Sequence, residues 1–69
     1  MKVHVEFRPR RQEARDVALH DGATVADLIV AVGESVDVVV AVQAGRPVPE
    51  DHVLDDGATL TLLSAASGG

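Results

Sequence analysis

Few residues in this sequence have the type and spacing that enzymatic or metal chemistry requires. There is no cysteine, which excludes thiol nucleophiles, iron–sulfur clusters and cysteine-ligated zinc. The histidines His4, His20 and His52 are not at metal-ligand spacings. No serine has the sequence context of a nucleophile elbow. We therefore expect no catalytic residue, no metal site and no bound cofactor, and we expect that the chain is not an enzyme.

The carboxyl-terminal segment is the remaining candidate for chemistry. Its last six residues read Ser-Ala-Ala-Ser-Gly-Gly and include no large apolar side chain that could anchor them to a core. We expect residues 65–69 to form a flexible tail, whose fully extended length would be about 17 Å. Because glycine has no Cβ, Gly68 and Gly69 would present an unhindered carboxylate at the end of this tail. What such an ending means depends on the fold that presents it.

The first elements of that fold are predicted by alternating apolar and polar residues. Residues 2–8 alternate as a strand does when it buries one face. After a charged connection, alternation resumes over residues 15–20, where Val17 and Leu19 form the inward pair. The two strands should form a hairpin.

A helix should follow this hairpin. Thr24 and Asp27 have the spacing of a capping box, in which each side chain accepts a backbone amide of the first helical turn. The helix should therefore begin at Val25, and Gly33 can end it in the left-handed conformation. The apolar stripe that faces the sheet has helical spacing and consists of Val25, Leu28, Ile29 and Val32.

Two further strands are predicted at residues 36–43 and 59–63. In the first, even-numbered valines alternate with a nominally outer set that includes Val39 and Ala41, as in an interior strand. In the second, two leucines would face the core and Leu63 would lie out of phase. Val39, Ala41 and Leu63 would then form a small apolar patch on the sheet face opposite the helix, which a partner could cover.

This order of elements predicts an α+β fold in which one helix packs on a mixed sheet. For a chain of 69 residues the pattern ββαββ is typical of the β-grasp fold, the ubiquitin roll. We expect residues 1–64 to form the β-grasp domain and residues 65–69 to form the flexible diglycine tail.

Charge and composition narrow the possible partners. The net charge is −5, and because residues 1–20 hold five basic and three acidic side chains, residues 21–69 carry −7. An acidic chain with Phe7 as its one aromatic residue is unsuited to direct binding of nucleic acid. No apolar run is long enough to span a membrane, and the first residues lack the pattern of a signal peptide. We expect a cytoplasmic protein.

Several pieces of the sequence carry a family resemblance by their order and spacing. They are a valine-rich strand running into Ala44-Gly45-Arg46-Pro47-Val48-Pro49-Glu50-Asp51, the turn Leu54-Asp55-Asp56-Gly57, the strand Thr59-Leu60-Thr61-Leu62-Leu63, and Gly68-Gly69. With the first hairpin and the helix, they make the whole chain resemble the ubiquitin-like sulfur carriers and small archaeal modifier proteins. These families are relatives of the thiamine and molybdopterin sulfur carriers.

The resemblance implies a substrate protein on which other proteins act. An E1-like activating enzyme would use ATP to convert the Gly69 carboxylate into an acyl-adenylate and then into a thioester or thiocarboxylate. Gly68 would let the tail thread through a narrow channel of that enzyme. The product would be passed to lysines of target proteins or to a sulfur-accepting enzyme. Lys2 is the only lysine of the chain and is thus the possible isopeptide acceptor among its side chains.

Two alternatives stay open at this point. The chain could be the small subunit of a molybdopterin-synthase-like complex, whose tail places a thiocarboxylate in the active site of a larger subunit. It could also be a β-grasp binding module with an inert tail. The sequence does not identify the acceptor of the activated carboxyl group.

Overall fold

Five strands and one helix make up the part of the chain that the computed structural model describes, which is residues 1–8 and 14–64. In chain order the elements are β1 Lys2–Arg8, β2 Ala14–Ala18, α1 Val25–Ala31, β3 Val39–Gln43, β4 Arg46–Val48 and β5 Thr59–Ser64. The predicted order of two strands, one helix and further strands is confirmed. No helix among these residues is both long enough and apolar enough to cross a membrane.

The strands form one mixed sheet in the order β2-β1-β5-β3-β4. β1 and β5 run parallel, with Val5 opposite Leu60, whereas the other neighbouring pairs are antiparallel. β5 therefore occupies the centre of the sheet, although it is the last strand in the chain. With one helix on this mixed sheet, the predicted α+β, β-grasp arrangement is confirmed.

Helix α1 begins and ends as the sequence predicts. The Asp27 amide donates to Thr24 Oγ1 at 3.3 Å, and the Thr24 amide donates to Asp27 Oδ2 at 2.9 Å, which completes the capping box. At the other end, Gly33 has a φ of +84°, and its amide donates to the Val30 carbonyl. The next amide donates to the Ile29 carbonyl, so the helix ends in a Schellman motif.

Apolar side chains from α1 and from one face of the sheet form the core. We call this sheet face the covered face and the opposite one the open face. The largest fully buried side chains are Val3, Val5, Val25, Leu28, Leu60 and Leu62. Val17 of β2 is also buried, whereas Leu19 lies beyond the end of β2 and packs half-buried against the core. The inward positions predicted for β1, α1 and β5 are confirmed.

The prediction for β3 is wrong in both length and orientation. Its first three predicted residues, 36–38, form a turn, in which the Asp37 amide donates to Ser35 Oγ. The strand itself pairs Ala41 with the buried Leu62, so Ala41 faces the core and is 3% exposed. Val40 consequently points to the open face and is 40% exposed. A strand with valine on both faces gives no periodic signal that could fix this orientation.

Candidate functional site

The residues predicted to carry the chemistry, Gly68 and Gly69, lie in the tail 65–69, outside the residues that the structure describes. Their roles stay predictions. What the structure does show is the base from which this segment departs. β5 ends at Ser64, which is exposed and pairs with Val39 of β3. The site is therefore built around the last residues of β5.

The base of the tail is held by the most enclosed strand of the sheet. β5 pairs with β1 on one side from Thr59 to Leu63, and with β3 on the other from Thr61 to Ser64. Its inward side chains, Leu60 and Leu62, are buried beneath α1. Each backbone group of a central strand can bond to a neighbour, and this arrangement resists local opening. Leu63, which is paired on both sides, therefore has a fixed position one residue before the end of the strand.

A small apolar surface lies next to this base on the open face. Leu63 and Val40 are directly opposite each other on β5 and β3 and are 38% and 40% exposed. Val42, two residues along β3, has the same orientation and is half-buried. We call Val40, Val42 and Leu63 the outer patch.

The outer patch corrects the patch predicted from the sequence. Of the predicted residues Val39, Ala41 and Leu63, only Leu63 lies on the open face. Ala41 is part of the core, and Val39 packs half-buried against it on the covered face. The cause is the reversed orientation of β3, and it also explains why sequence reasoning missed Val40. The sequence signal that identified Leu63, its position out of phase with Leu60 and Leu62, is sound.

The other half of the open face is polar. His4 of β1 donates from Nδ1 to Asp16 Oδ1 of β2 at 2.8 Å, and its Nε2 lies 3.6 Å from Glu6 Oε2. The hydrogen bond to Asp16 raises the pKa of His4 above its ordinary value of 6.5, and the nearby carboxylate charges add to this effect against a smaller opposing effect of desolvation. Arg8 Nη2 lies 3.5 Å from Glu6 Oε1. Arg8 is also opposite Leu63, so one cation adjoins the outer patch.

Lys2, the predicted isopeptide acceptor, lies far from the base of the tail. It is exposed at the start of β1, whereas Ser64 is beyond the level of Arg8 at the other end of the same strand. Its amide donates to Asp56 Oδ1 at 2.8 Å, which fixes its backbone while its side chain extends into solvent. Lys2 and the base of the tail thus lie at opposite ends of β1 and β5.

The histidines do not come together. His4 is on the open face, His20 Nε2 lies 3.8 Å from Asp27 Oδ2, and His52 is in the connection before β5. Over residues 1–8 and 14–64, no three histidine, aspartate or glutamate side chains are grouped so that they could hold a metal ion.

Comparisons with known proteins give a family match and a structural match. The family model described as small archaeal modifier protein 2 matches residues 1–63, so Gly68 and Gly69 lie beyond the matched residues. The crystal structure of SAMP1 from Haloferax volcanii superposes with a TM-score of 0.78, 100% of each chain is covered, and the sequences are 18% identical. At that identity the likeness shows the shared fold. None of the curated proteins matches the sequence.

Proposed function

Because the chain belongs to the small archaeal modifier protein 2 family, we propose that it is a ubiquitin-like modifier or sulfur carrier activated at the Gly69 carboxylate. The observation that carries this proposal is the end of β5. This strand is the centre of a β-grasp sheet, and its last residue, Ser64, follows Leu63 of the outer patch. The body of the protein holds and presents the carboxyl group, and other proteins perform the reactions.

The proposed activation needs a partner, because a carboxylate is a poor electrophile. An oxygen of the Gly69 carboxylate attacks the α-phosphorus of ATP in an E1-like enzyme, and pyrophosphate leaves. A thiolate or sulfide then attacks the carbonyl carbon of the acyl-adenylate, and AMP leaves. The product is a thioester or a thiocarboxylate. The reaction is effective only if the partner holds the carboxylate and the group that reacts with it close together and correctly oriented. A narrow channel around the small glycines provides this.

The activated carboxyl group has two possible fates. A lysine amine of a target protein attacks the thioester carbon, loses a proton and forms an isopeptide bond while the thiol leaves. Alternatively, in an accepting enzyme such as a molybdopterin-synthase-like complex, the thiocarboxylate sulfur attacks the acceptor molecule and displaces its leaving group. Water then cleaves the carbonyl–sulfur bond, which leaves the sulfur on the acceptor and returns the Gly69 carboxylate. Both fates need the same free tail and the same cytoplasmic activation.

The outer patch is the part of the body that we expect the activating enzyme to contact. Leu63 is an exposed apolar side chain at the end of β5, and Val40 lies opposite it on β3. Arg8 lies opposite Leu63 on β1. Apolar residues that are buried on binding, with a charge at the rim, are the usual composition of a protein interface. Because Ser64 follows Leu63 in the chain, a partner that covers this patch lies next to the start of the tail.

Intact-mass measurement of the protein isolated from its native host tests the proposal. Replacement of one oxygen by sulfur supports sulfur transfer, and other proteins whose mass is raised by that of the whole chain less one water support conjugation. A variant that lacks Gly68 and Gly69 should lose both products, whereas the matched variant Ser67→Ala, which keeps the diglycine, should retain them. Absence of both products together with full biological activity of the truncated variant would establish the remaining alternative, a binding module with an inert tail.

Lys2 provides a narrower test of conjugation. If copies of the chain join to one another through side chains, Lys2 is the only lysine that can accept, and its exposed position permits attack. Lys2→Arg should then abolish isopeptide-linked multimers and leave conjugation to other proteins unchanged. Multimers that persist in this variant and contain a side-chain isopeptide would contradict the assignment.

A further inference from the structure

The tetrapeptide Asp-Gly-Ala-Thr occurs twice in the chain, at residues 21–24 and 56–59. In both places the Asp-Gly pair forms an exposed turn, which leads into α1 in the first case and into β5 in the second. We call these two turns the helix turn and the strand turn. Gly22 and Gly57 have φ values of +86° and +83°, and both have open space where a Cβ would stand. The two turns therefore match in sequence and in the conformation of their glycine.

An Asp-Gly pair is a site at which a protein backbone rearranges without an enzyme. The glycine nitrogen attacks Cγ of a protonated aspartate, and the amide proton leaves with the hydroxyl group as water, which closes a five-membered succinimide ring. Glycine favours this step because it has no Cβ to hinder the approach. Water then opens the ring. Addition of water at Cγ returns aspartate, whereas addition at the backbone carbonyl leaves the nitrogen on Cγ and gives isoaspartate, whose α-carboxylate is free.

Both reacting groups of the strand turn are held by the first residue of β1. The Gly57 amide donates to the Lys2 carbonyl at 2.8 Å, and Asp56 Oδ1 accepts the Lys2 amide at 2.8 Å. Ring closure requires that the Gly57 nitrogen leave its acceptor and that the Asp56 carboxyl group leave its donor. Two hydrogen bonds to β1 must therefore break before the strand turn can react.

The same two groups of the helix turn are not held in this way. The side chain of Asp21 is 97% exposed, and its Oδ1 lies 3.7 Å from the amino group of Met1, an ion pair that solvent screens. Among residues 1–8 and 14–64, no group accepts the amide proton of Gly22. The Gly22 nitrogen can therefore approach Cγ of Asp21 without breaking a hydrogen bond to the described part of the protein.

We propose that Asp21 is a site of isoaspartate formation in the folded protein and that Asp56, in the same tetrapeptide, is protected by β1. The modification lengthens the main chain by one carbon atom immediately before the buried Ala23 and the capping residue Thr24. It should therefore disturb the start of α1. This inference goes beyond the modifier function and does not require activation of Gly69.

Ageing of the full chain at neutral pH, in buffer and in urea, tests the proposal. Cleavage after Glu34 and Glu50 places Asp21 and Asp56 in separate peptides. An isoaspartate methyltransferase then counts the modification in each peptide, because it transfers a labelled methyl group from S-adenosylmethionine to the freed α-carboxylate. In buffer, isoaspartate should form at least about tenfold faster at Asp21 than at Asp56, since two hydrogen bonds must break at Asp56 alone.

The sample in urea is the control for sequence. Once the chain is unfolded, the two identical tetrapeptides should form isoaspartate at nearly equal rates. Equal rates in buffer, a faster reaction at Asp56, or no isoaspartate at Asp21 in buffer would each overturn the proposal.

A matched pair of variants assigns the reaction to one turn. Asp21→Glu and Asp56→Glu keep the charge, and a glutamate cannot close the five-membered ring. Asp21→Glu should abolish the isoaspartate that forms in buffer, whereas Asp56→Glu should leave its amount unchanged. In aged wild-type protein, the amide NMR signals of Ala23 and Thr24 should split in proportion to the isoaspartate. An undiminished amount of isoaspartate in Asp21→Glu would reject Asp21 as the site.

Discussion

The two faces of the sheet are built from the same strands and have different tasks. On β5, Leu60 and Leu62 are buried beneath α1, whereas Leu63, the next residue, is 38% exposed on the open face. On β1, Val3 and Val5 are fully buried, whereas His4 between them pairs with carboxylates in solvent. One face holds the fold together and the other is available for recognition. Adjacent residues can thus be changed to separate stability from function.

The largest effect is expected on the covered face. Leu60→Ala leaves a cavity in the middle of the core and should lower the free energy of unfolding by about 2–5 kcal/mol. A domain of this size has a stability on the order of 3–5 kcal/mol, so the variant should lose a large part of it. The matched change Leu63→Ala, on the same strand and the opposite face, should cost less than about 1 kcal/mol. Urea denaturation measures both, and equal losses would refute the division between the faces.

A smaller loss is expected at the start of the helix that covers the core. Thr24→Ala removes the hydroxyl that accepts the Asp27 amide and should lower the free energy of unfolding by about 1 kcal/mol. The Thr24 backbone amide is the main cause of the lowered pKa of Asp27, and the Thr24 hydroxyl lowers it further. The variant should therefore bring this pKa part of the way back toward its ordinary value of 3.8. Thr24→Ser keeps a hydroxyl that can accept the Asp27 amide and is therefore the control. Thermal unfolding measures both variants. A serine variant as unstable as the alanine variant would argue against the cap.

On the open face, a charge should affect function with little effect on stability. Leu63→Asp should change the free energy of unfolding by less than about 1 kcal/mol. It should slow formation of the activated species by at least about fivefold if the outer patch contacts the activating enzyme. Thr59→Asp, at the other end of the same face of β5, is the control and should be activated normally. Activation assays that find both variants equally active would remove the outer patch from the interface.

The smallest effect concerns the polar half of the open face. Since the pKa of His4 is raised in the folded chain, the stabilising contribution of its protonated form is fully present below pH 6.5 and is lost as pH rises through the folded value. The free energy of unfolding should be slightly lower above the folded pKa of His4 than below pH 6.5. His4→Gln should flatten that part of the profile, and Asp16→Asn should bring the His4 pKa, followed by NMR, closer to its ordinary value. A His4 pKa unchanged by Asp16→Asn would contradict this cause.

The sequence is most informative where a local rule determines the structure. Thr24 and Asp27 form a capping box because of their spacing alone, and Gly33 ends the helix because its φ is positive. On β1, apolar and polar residues alternate strictly, so its buried face could be predicted. These features depend on neighbouring residues in the chain, which a sequence displays directly.

The orientation of β3 could not be predicted in this way. Its residues are apolar on both faces, and only its pairing with β5, which places Ala41 opposite Leu62, decides which face is covered. The sequence therefore predicted the fold and the exposed position of Leu63, but not that of Val40. The assignment of Gly68 and Gly69 stays a prediction.

The parallel pairing of β1 with β5 also has a consequence for the synthesis of the protein. β1 is made first, yet one of its two neighbours is the last strand, more than fifty residues later. Until β5 has emerged from the ribosome, Val3 and Val5 have only β2 beside them, and the centre of the sheet is missing. Contacts between distant parts of a chain slow folding and leave apolar surface unprotected while it continues. A nascent chain interrupted before β5 should therefore be a preferred client of chaperones and proteases.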